Sequence, residues 1–152
     1  MDGERRELER EKVQLKKQKI LGLDWGSKRI GIAISDQGGN VALGRPSRER
    51  EDLESDIQYI EQLVVEENIS RIVIGMPFHM NGEEGESVSR VREFKRKLEE
   101  RLSVPIDTID ERLTSSEAER VMIESDLRRE ERKKHRDKLA ATLILQRYLD
   151  SQ

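Results

Sequence analysis

Two short apolar runs near the N-terminus, separated by a glycine-containing turn, constrain the fold most strongly. The first covers residues 20–25, and the second, in which isoleucine alternates with small residues, covers residues 29–35. Two such runs joined by a short turn predict a β-hairpin. The first run contains Asp24 at a position that its apolar neighbours mark as buried. A buried charge costs several kcal/mol unless it is paired or binds a metal, so Asp24 is a candidate functional residue.

The rest of the chain alternates predicted strands with predicted helices. Apolar residues at steps of three and four indicate helices, and short apolar runs closed by proline or glycine indicate strands. The predicted elements after the hairpin are a strand at 41–45 ended by Pro46, a helix at 53–64, a strand at 72–75, a helix at 88–102, a strand at 104–109, a helix from the capping box at Thr114 to Ser125, and a helix at 139–149. This β-β-β-α-β-α-β-α-α order predicts an α/β fold with a five-stranded mixed sheet flanked by helices.

The length of 152 residues predicts one domain, which we place at residues 19–152. Residues 1–18 are mostly charged and have too few apolar side chains to bury much surface. We interpret them as a charged, solvated N-terminal extension, with a partner helix or a nucleic-acid-binding arm as the alternatives.

Composition excludes several functional classes. The chain has no cysteine, which excludes a disulfide scaffold, a thiolate zinc site and a cysteine nucleophile. No apolar run reaches the roughly 18 residues of a membrane span, and the N-terminus lacks a signal peptide, so we expect no membrane partner and a cytoplasmic location. A net charge of −3 argues against a general nucleic-acid coat, so contacts with nucleic acid must come from local basic patches.

Three carboxylates lie at positions that suggest a shared site. A simple surface role can explain each of them alone, but not all three if they lie close together. Asp24 ends a buried strand, Glu111 follows the fifth strand, and Asp137 shares the apolar face of the last helix with Ala141 and Ile144. Singly, they have plain explanations: a solvated strand end, a surface pair with Arg112, and an acid near a helix start. If they converge, their repulsion requires a cation or a proton. Oxygen ligands select Mg²⁺ or Mn²⁺, and two such ions ~4 Å apart hydrolyse phosphodiesters.

Four segments, in order, resemble the motifs of the YqgF-type proteins. They are Gly22 to Ala33, Ile74 to Gly82, Asp110 to Ser115 and Asp137 to Leu149, and the similarity spans about residues 19–150. The family is RNase H-like, resembles RuvC-type Holliday-junction resolvases and is regarded as nucleases of pre-16S rRNA. The resemblance implies an RNase H-like fold with Asp24, Glu111 and Asp137 as catalytic, metal-binding acids. The sequence departs from the pattern at Trp25 and at His79, where asparagine is more usual.

The resemblance implies a metal-dependent endonuclease that matures the 5′ end of pre-16S rRNA. Its partners would be structured RNA, including the pre-ribosomal particle, or branched DNA, with the protein acting as a monomer or homodimer. Basic residues beside the three acids are the candidate nucleic-acid ligands, although a solvated helix face explains several of them equally well. They are Lys28, Arg29, Arg112, Arg132, Lys133, Lys134 and Arg136.

Two other functions remain open from the sequence. One is resolution of four-way DNA junctions by the same chemistry, and the other is a non-catalytic RNA- or ribosome-binding module of the same fold. Asp24 with its neighbouring glycine and lysine also resembles the phosphate loop of actin-like ATPases. Those proteins bind nucleotide between two copies of a related fold, and one copy of this size cannot form that cleft.

Overall fold

A computed structural model describes residues 3–6, 19–78, 81–112 and 129–152, without the side chains of 129–137. One five-stranded sheet in the order β3-β2-β1-β4-β5 organises these residues. Its strands are β1 (Lys19–Trp25), β2 (Arg29–Ser35), β3 (Ala42–Glu49), β4 (Ile69–Met76) and β5 (Ile106–Asp110). The helices are α1 (Leu53–Glu66), α2 (Glu86–Arg101) and α3 (Arg129–Asp150).

Strand β1 is the centre of the sheet, as the hairpin and the crossovers predict. It pairs antiparallel with β2, where Leu23 faces Ile32, and parallel with β4, where Leu23 faces Ile74. Strand β4 pairs parallel with β5, and β3 forms the outer edge beside β2. The parallel strands β1, β4 and β5 therefore end at the same edge of the sheet, which we call the carboxyl edge.

Helices cover both faces of the sheet. On one face, Leu21 and Leu23 belong to a core with side chains of α1 and α2, including the fully buried Phe94. On the other face, α3 packs through Ala141, Leu145 and Leu149. Because side chains alternate along a strand, Asp24 lies on the face covered by α3, and Trp25 lies on the face covered by α1 and α2.

Glycines in three strands allow α3 to approach the sheet closely. A Cβ atom added at Gly22 would lie 2.7 Å from the Cβ of Leu145. One added at Gly44 would lie 2.8 Å from Oγ1 of Thr142, and one at Gly75 would lie 2.5 Å from Cδ1 of Ile144. Alanine at Gly22 would therefore push α3 away from β1.

The predicted end of the third strand at Pro46 is wrong, because β3 continues to Glu49. Proline lacks the N–H that a strand in the middle of a sheet needs. Proline is tolerated in β3 because β3 is the outermost strand of the sheet. The pairing of β3 with β2 also shifts register between Ile30 and Ile32, so Pro46 falls where the ladder is already irregular.

The last helix is longer than the predicted range 139–149, since α3 begins at Arg129. Its first ten residues are almost all charged, and the apolar spacing that identified the helix starts only after them. The helix predicted from Thr114 and most of the N-terminal extension lie outside the described residues.

Replacing Gly22 with alanine should lower the free energy of unfolding by about 1–3 kcal/mol, because the added methyl group overpacks the contact with α3. Urea denaturation of the purified protein measures the change. Gly38→Ala is the matched control, since the atom nearest to its added Cβ is the mobile amide end of Asn40. Equal stability of the two variants would contradict the close approach of α3.

Candidate active site

The carboxyl groups of Asp24 and Glu111 meet at the carboxyl edge, on the face covered by α3. Asp24 is the second-last residue of β1, before Trp25 at the strand end, and Glu111 directly follows β5. The backbone N–H of Glu111 donates to the carbonyl oxygen of Met76 at 3.2 Å, which fixes the residue against the end of β4. The Glu111 side chain then reaches Asp24 and forms a hydrogen bond with its carboxyl group. The structure thus brings together two of the three predicted acids.

Gly75 makes room for this contact. A Cβ atom at Gly75 would lie 2.5 Å from Oε2 of Glu111 and equally close to Ile144 of α3. Any side chain here would displace either the carboxyl group or the helix. Sequence reasoning gave Gly75 no role, although a glycine within an apolar strand signals close approach by another group.

Burial raises the pKa of the Glu111 carboxyl to about 9, and the neighbouring negative charge of Asp24 acts in the same direction. The hydrogen bond to Asp24 also favours the protonated form of Glu111, as does the charge of Asp110. In the absence of a cation, the pair therefore shares a proton at neutral pH. A divalent cation would replace that proton and allow both groups to be charged.

Asp110 and Arg112 form an ion pair beside Glu111. The guanidinium of Arg112 donates to both carboxylate oxygens of Asp110, and its Nη2 lies 2.5 Å from Oδ2. The hydrogen bonds from Arg112 hold the pKa of Asp110 below its usual range. Arg112 was predicted to contact nucleic acid, and in the structure its backbone N–H and its guanidinium both donate to Asp110.

The other basic residues predicted to bind nucleic acid lie in two parts of the fold, the β1–β2 hairpin and α3. Lys28 is exposed in the turn between β1 and β2, and Arg29 is half-buried at the start of β2. Four more lie in the first half of α3, where the structure describes the helix but not their side chains: Arg132, Lys133, Lys134 and Arg136. His79 lies outside the described residues.

Asp137 also lies in the first half of α3, and its side chain is not described. Among the side chains that are described, no three of histidine, cysteine, aspartate or glutamate form a metal-binding group. The convergence of all three acids therefore stays a prediction.

A fully buried carboxylate, Asp56, was missed in the sequence. It accepts hydrogen bonds from Nε of Arg48 and Nε of Arg50, each at 3.2 Å, and from the backbone of Glu51. The spacing of Asp56 and Ile60 places both on the inner face of α1, which was the available signal. Asp56 thereby ties the end of β3 to α1 near the carboxyl edge.

Asp24 and Glu111 have the chemistry of a magnesium or manganese site. Both supply carboxylate oxygens, and their carboxyl groups already contact each other. Hard divalent cations prefer such oxygen ligands, and a bound cation would offset both the burial and the neighbouring negative charge that raise the pKa of Glu111. The residues therefore fit the metal that the sequence motifs imply.

The five-stranded mixed sheet with helices on both faces and α3 packed against β1 defines an RNase H-like fold. The chain belongs to the RuvX family, since the profile of that family, described as "Holliday junction resolvase", matches residues 18–151. The resemblance to YqgF-type proteins is thereby confirmed.

Curated relatives match along most of their length. A protein of Syntrophomonas wolfei is 48% identical over 132 residues, which cover 87% of this chain and 94% of the relative. A protein of Thermoanaerobacter pseudethanolicus is 47% identical over 135 residues, covering 88% and 97%. Both carry the name "Putative pre-16S rRNA nuclease".

Solved structures support the fold. The Thermus thermophilus RuvC in complex with a Holliday junction substrate matches with a TM-score of 0.58 at 12% identity, over 88% of this chain and 94% of that one. The yeast mitochondrial Holliday junction resolvase Ydc2 matches with a TM-score of 0.55 at 14% identity, over 88% and 78%. Within the described part of the chain, no helix has the length and apolarity to cross a membrane.

Asp24→Asn should stabilise the metal-free protein at pH 8. The pKa of Glu111 is raised in the folded state, so its contribution to stability is full below its unfolded pKa of about 4.5 and is lost as pH rises towards 9. Removing the charge of Asp24 reduces that loss. Urea unfolding in EDTA at pH 5 and pH 8 should show a gain at pH 8 that shrinks or reverses at pH 5.

Glu100→Gln is the control for this comparison, because Glu100 is an exposed carboxyl on α2, away from the site. It should change stability little and equally at both pH values. A loss of stability in Asp24→Asn that is the same at pH 5 and pH 8 would contradict the coupling between Asp24 and Glu111.

Proposed function

We propose that this protein is a metal-dependent endonuclease that hydrolyses phosphodiester bonds during 5′-end maturation of pre-16S rRNA. The observation that carries the proposal is the contact between Asp24 and Glu111 at the carboxyl edge. Membership of the RuvX family and the names of the curated relatives support the nuclease activity and the RNA substrate. The protein acts in the cytoplasm on RNA within the pre-ribosomal particle.

We assign Asp137 as the third acid of the proposed site from the direction in which α3 crosses the sheet. Ile144 lies against Gly75 near the carboxyl edge, and Tyr148, farther along α3, donates a hydrogen bond to Asp107 nearer the amino end of β5. The helix therefore runs away from the carboxyl edge. Ala141 packs over Gly22, so Asp137, one turn earlier, is displaced towards the position of Asp24.

The proposed acids would hold Mg²⁺ or Mn²⁺, as one ion or as a two-metal site. A bound ion would polarise the phosphate of the substrate and activate a water for attack on it. The chain itself does the remaining work: Gly75 and the backbone of Met76 hold Glu111 in place, and the packed α3 covers one side of the site. Lys28 is exposed beside the end of β1, and in this proposal it would contact the substrate backbone.

The first half of α3 is the proposed binding surface for the phosphate backbone of the substrate. Its basic residues adjoin Asp137 in the chain, so phosphates bound there would lie next to the acids. Phosphate contacts carry little sequence information, so recognition would depend on the shape of the RNA. Binding should weaken steeply with salt.

Resolution of four-way DNA junctions is the second candidate, because the RuvX family is described as a Holliday junction resolvase. The two functions differ in what they require of the protein. A resolvase makes two symmetric cuts and therefore needs two sites in a dimer, whereas removal of one RNA end needs one site.

Asp24→Asn and Glu111→Gln should each reduce cleavage of a pre-16S rRNA 5′-end fragment by at least about 100-fold, more than the loss of an outer partner of a metal ligand causes. Gel assays with Mg²⁺ or Mn²⁺ measure the rate, with a four-way DNA junction in parallel. Glu100→Gln is again the control. Wild-type rates in either variant, or cleavage of neither substrate, would contradict the proposal and favour a non-catalytic binding module.

Asp137→Asn should weaken Mn²⁺ binding about tenfold or more, since a ligand is lost. Calorimetry of the full chain measures the affinity without any nucleic acid. Asp150→Asn, an exposed acid at the end of the same helix, should leave the affinity unchanged. Equal Mn²⁺ affinity in the wild type and Asp137→Asn would exclude Asp137 as a ligand.

A further inference from the structure

A second feature of the carboxyl edge lies on the opposite face of the sheet from the acids. A cavity of about 270 Å³ opens beside the end of β1, between the start of α1 and the N-terminal half of α2. This volume is slightly below the roughly 300–1,000 Å³ that small-molecule sites occupy, so the cavity can admit no more than a small ligand. Its lining residues are Trp25, Ser27, Arg50, Leu53, Arg90, Glu93 and Phe94.

The floor of this cavity is an ordered stack of three groups. The ring of Trp25 stacks on Phe94 with centroids 3.9 Å apart. The guanidinium of Arg50 lies over the other face of Trp25, 3.9 Å from its centroid. Trp25 is therefore held on both faces, and it presents only its edge to the cavity.

The buried carboxylate of Asp56 holds the Arg50 side chain in place. Its Nε donates to Oδ2 of Asp56 at 3.2 Å, and its backbone N–H donates to the carbonyl of Lys28 at 2.8 Å. Asp56 is fully buried and also binds Arg48, so one carboxylate holds two guanidinium groups. A pre-positioned arginine loses little entropy when it binds an anion.

The walls combine the features of a nucleotide site. Leu53 and the aromatic edges offer apolar contacts for a base, while Arg50 and Arg90 supply donors for phosphate or for base carbonyls. Glu93 can accept a hydrogen bond from an amino group of a base. Because Trp25 has no free face, base identity would be read weakly.

The cavity and the acids lie at the same end of β1, on opposite faces of the sheet. Asp24 and Trp25 are consecutive residues at the end of β1, with side chains on opposite faces. A strand that crosses the carboxyl edge with one phosphate at Asp24 would bring a nearby nucleotide to the mouth of the cavity.

We propose that this cavity is a subsite for one unpaired nucleotide of the bound strand, close to the cleaved phosphate. The subsite rests on the proposed function for its place in the reaction, but its binding of a nucleotide requires neither metal nor cleavage. Its chemistry is that of a base and its phosphate, not of a duplex, which the cavity is too small to admit.

Trp25 is the only tryptophan in the chain, so its fluorescence reports on this cavity. Titration of the full chain in EDTA with adenosine monophosphate, and with a five-nucleotide single-stranded RNA, should change the emission saturably. Ribose 5-phosphate should bind more weakly, since it lacks the base. The RNA should bind at least as tightly as the mononucleotide, because it adds phosphate contacts.

Arg90→Glu should weaken both interactions roughly tenfold or more, as loss of a charged hydrogen bond predicts. Arg96→Glu is the matched control: Arg96 is exposed on the same helix and does not line the cavity. No saturable change, or equal weakening in both variants, would overturn the subsite. Binding of the mononucleotide without binding of the RNA would overturn its assignment to the substrate strand.

These outcomes are separable from those of the proposed function. Asp24→Asn should still give a saturable fluorescence response to the RNA in EDTA, although it should not cleave. If the response is intact and the wild type cleaves neither substrate, the nuclease proposal fails while the nucleotide site stands. If the wild type cleaves and the response is absent, the cavity proposal alone fails.

Discussion

The contact between the Asp24 and Glu111 carboxyl groups sets the requirements for the rest of the site. Burial, together with the neighbouring charge of Asp24, raises the pKa of Glu111 to about 9, so without a cation the pair retains a proton at neutral pH. The backbone hydrogen bond from Glu111 to Met76 holds the acids together, and the lack of a side chain at Gly75 leaves the room that Oε2 of Glu111 occupies. The fold keeps this arrangement because α3, packed on the glycines of the sheet, leaves the carboxyl group of Glu111 little room to move away.

The two faces of the carboxyl edge have separate roles in this arrangement. The face under α3 carries the acids, and the face under α1 and α2 carries the stack of Phe94, Trp25 and Arg50. Alternation of side chains along β1 places Asp24 and Trp25 on these two faces one residue apart. Asp56 completes the second face by anchoring Arg50, so the order of the β3–α1 corner extends to the residue that follows Asp24.

Sequence patterns were sufficient for the sheet and for choosing two acids that the structure brings into contact, while the catalytic role of these acids stays a prediction. Strands β1, β2 and β4 are short apolar runs with clear turns, and the order of strands and helices along the chain predicted the mixed sheet. Asp24 was recognisable because a charge in a buried strand is costly, and Glu111 because it follows the fifth strand in a motif that resembles one of the YqgF-type proteins. Gly75 and Asp56 were not, because their importance depends on groups distant in the chain: Glu111 for one, Arg48 and Arg50 for the other. The strand through Pro46 was missed because only the sheet order shows that β3 is an edge.

A crystal structure of the protein soaked in Mn²⁺ would test the metal site most directly. Anomalous density should appear between Asp24 and Glu111, with an oxygen of each carboxyl group in the first coordination sphere and Asp137 as the third acid. The direct hydrogen bond between Asp24 and Glu111 should then be broken, because the cation replaces the shared proton. Absence of manganese at this position, with the two carboxyl groups still bonded to each other, would contradict a metal-dependent active site at the carboxyl edge.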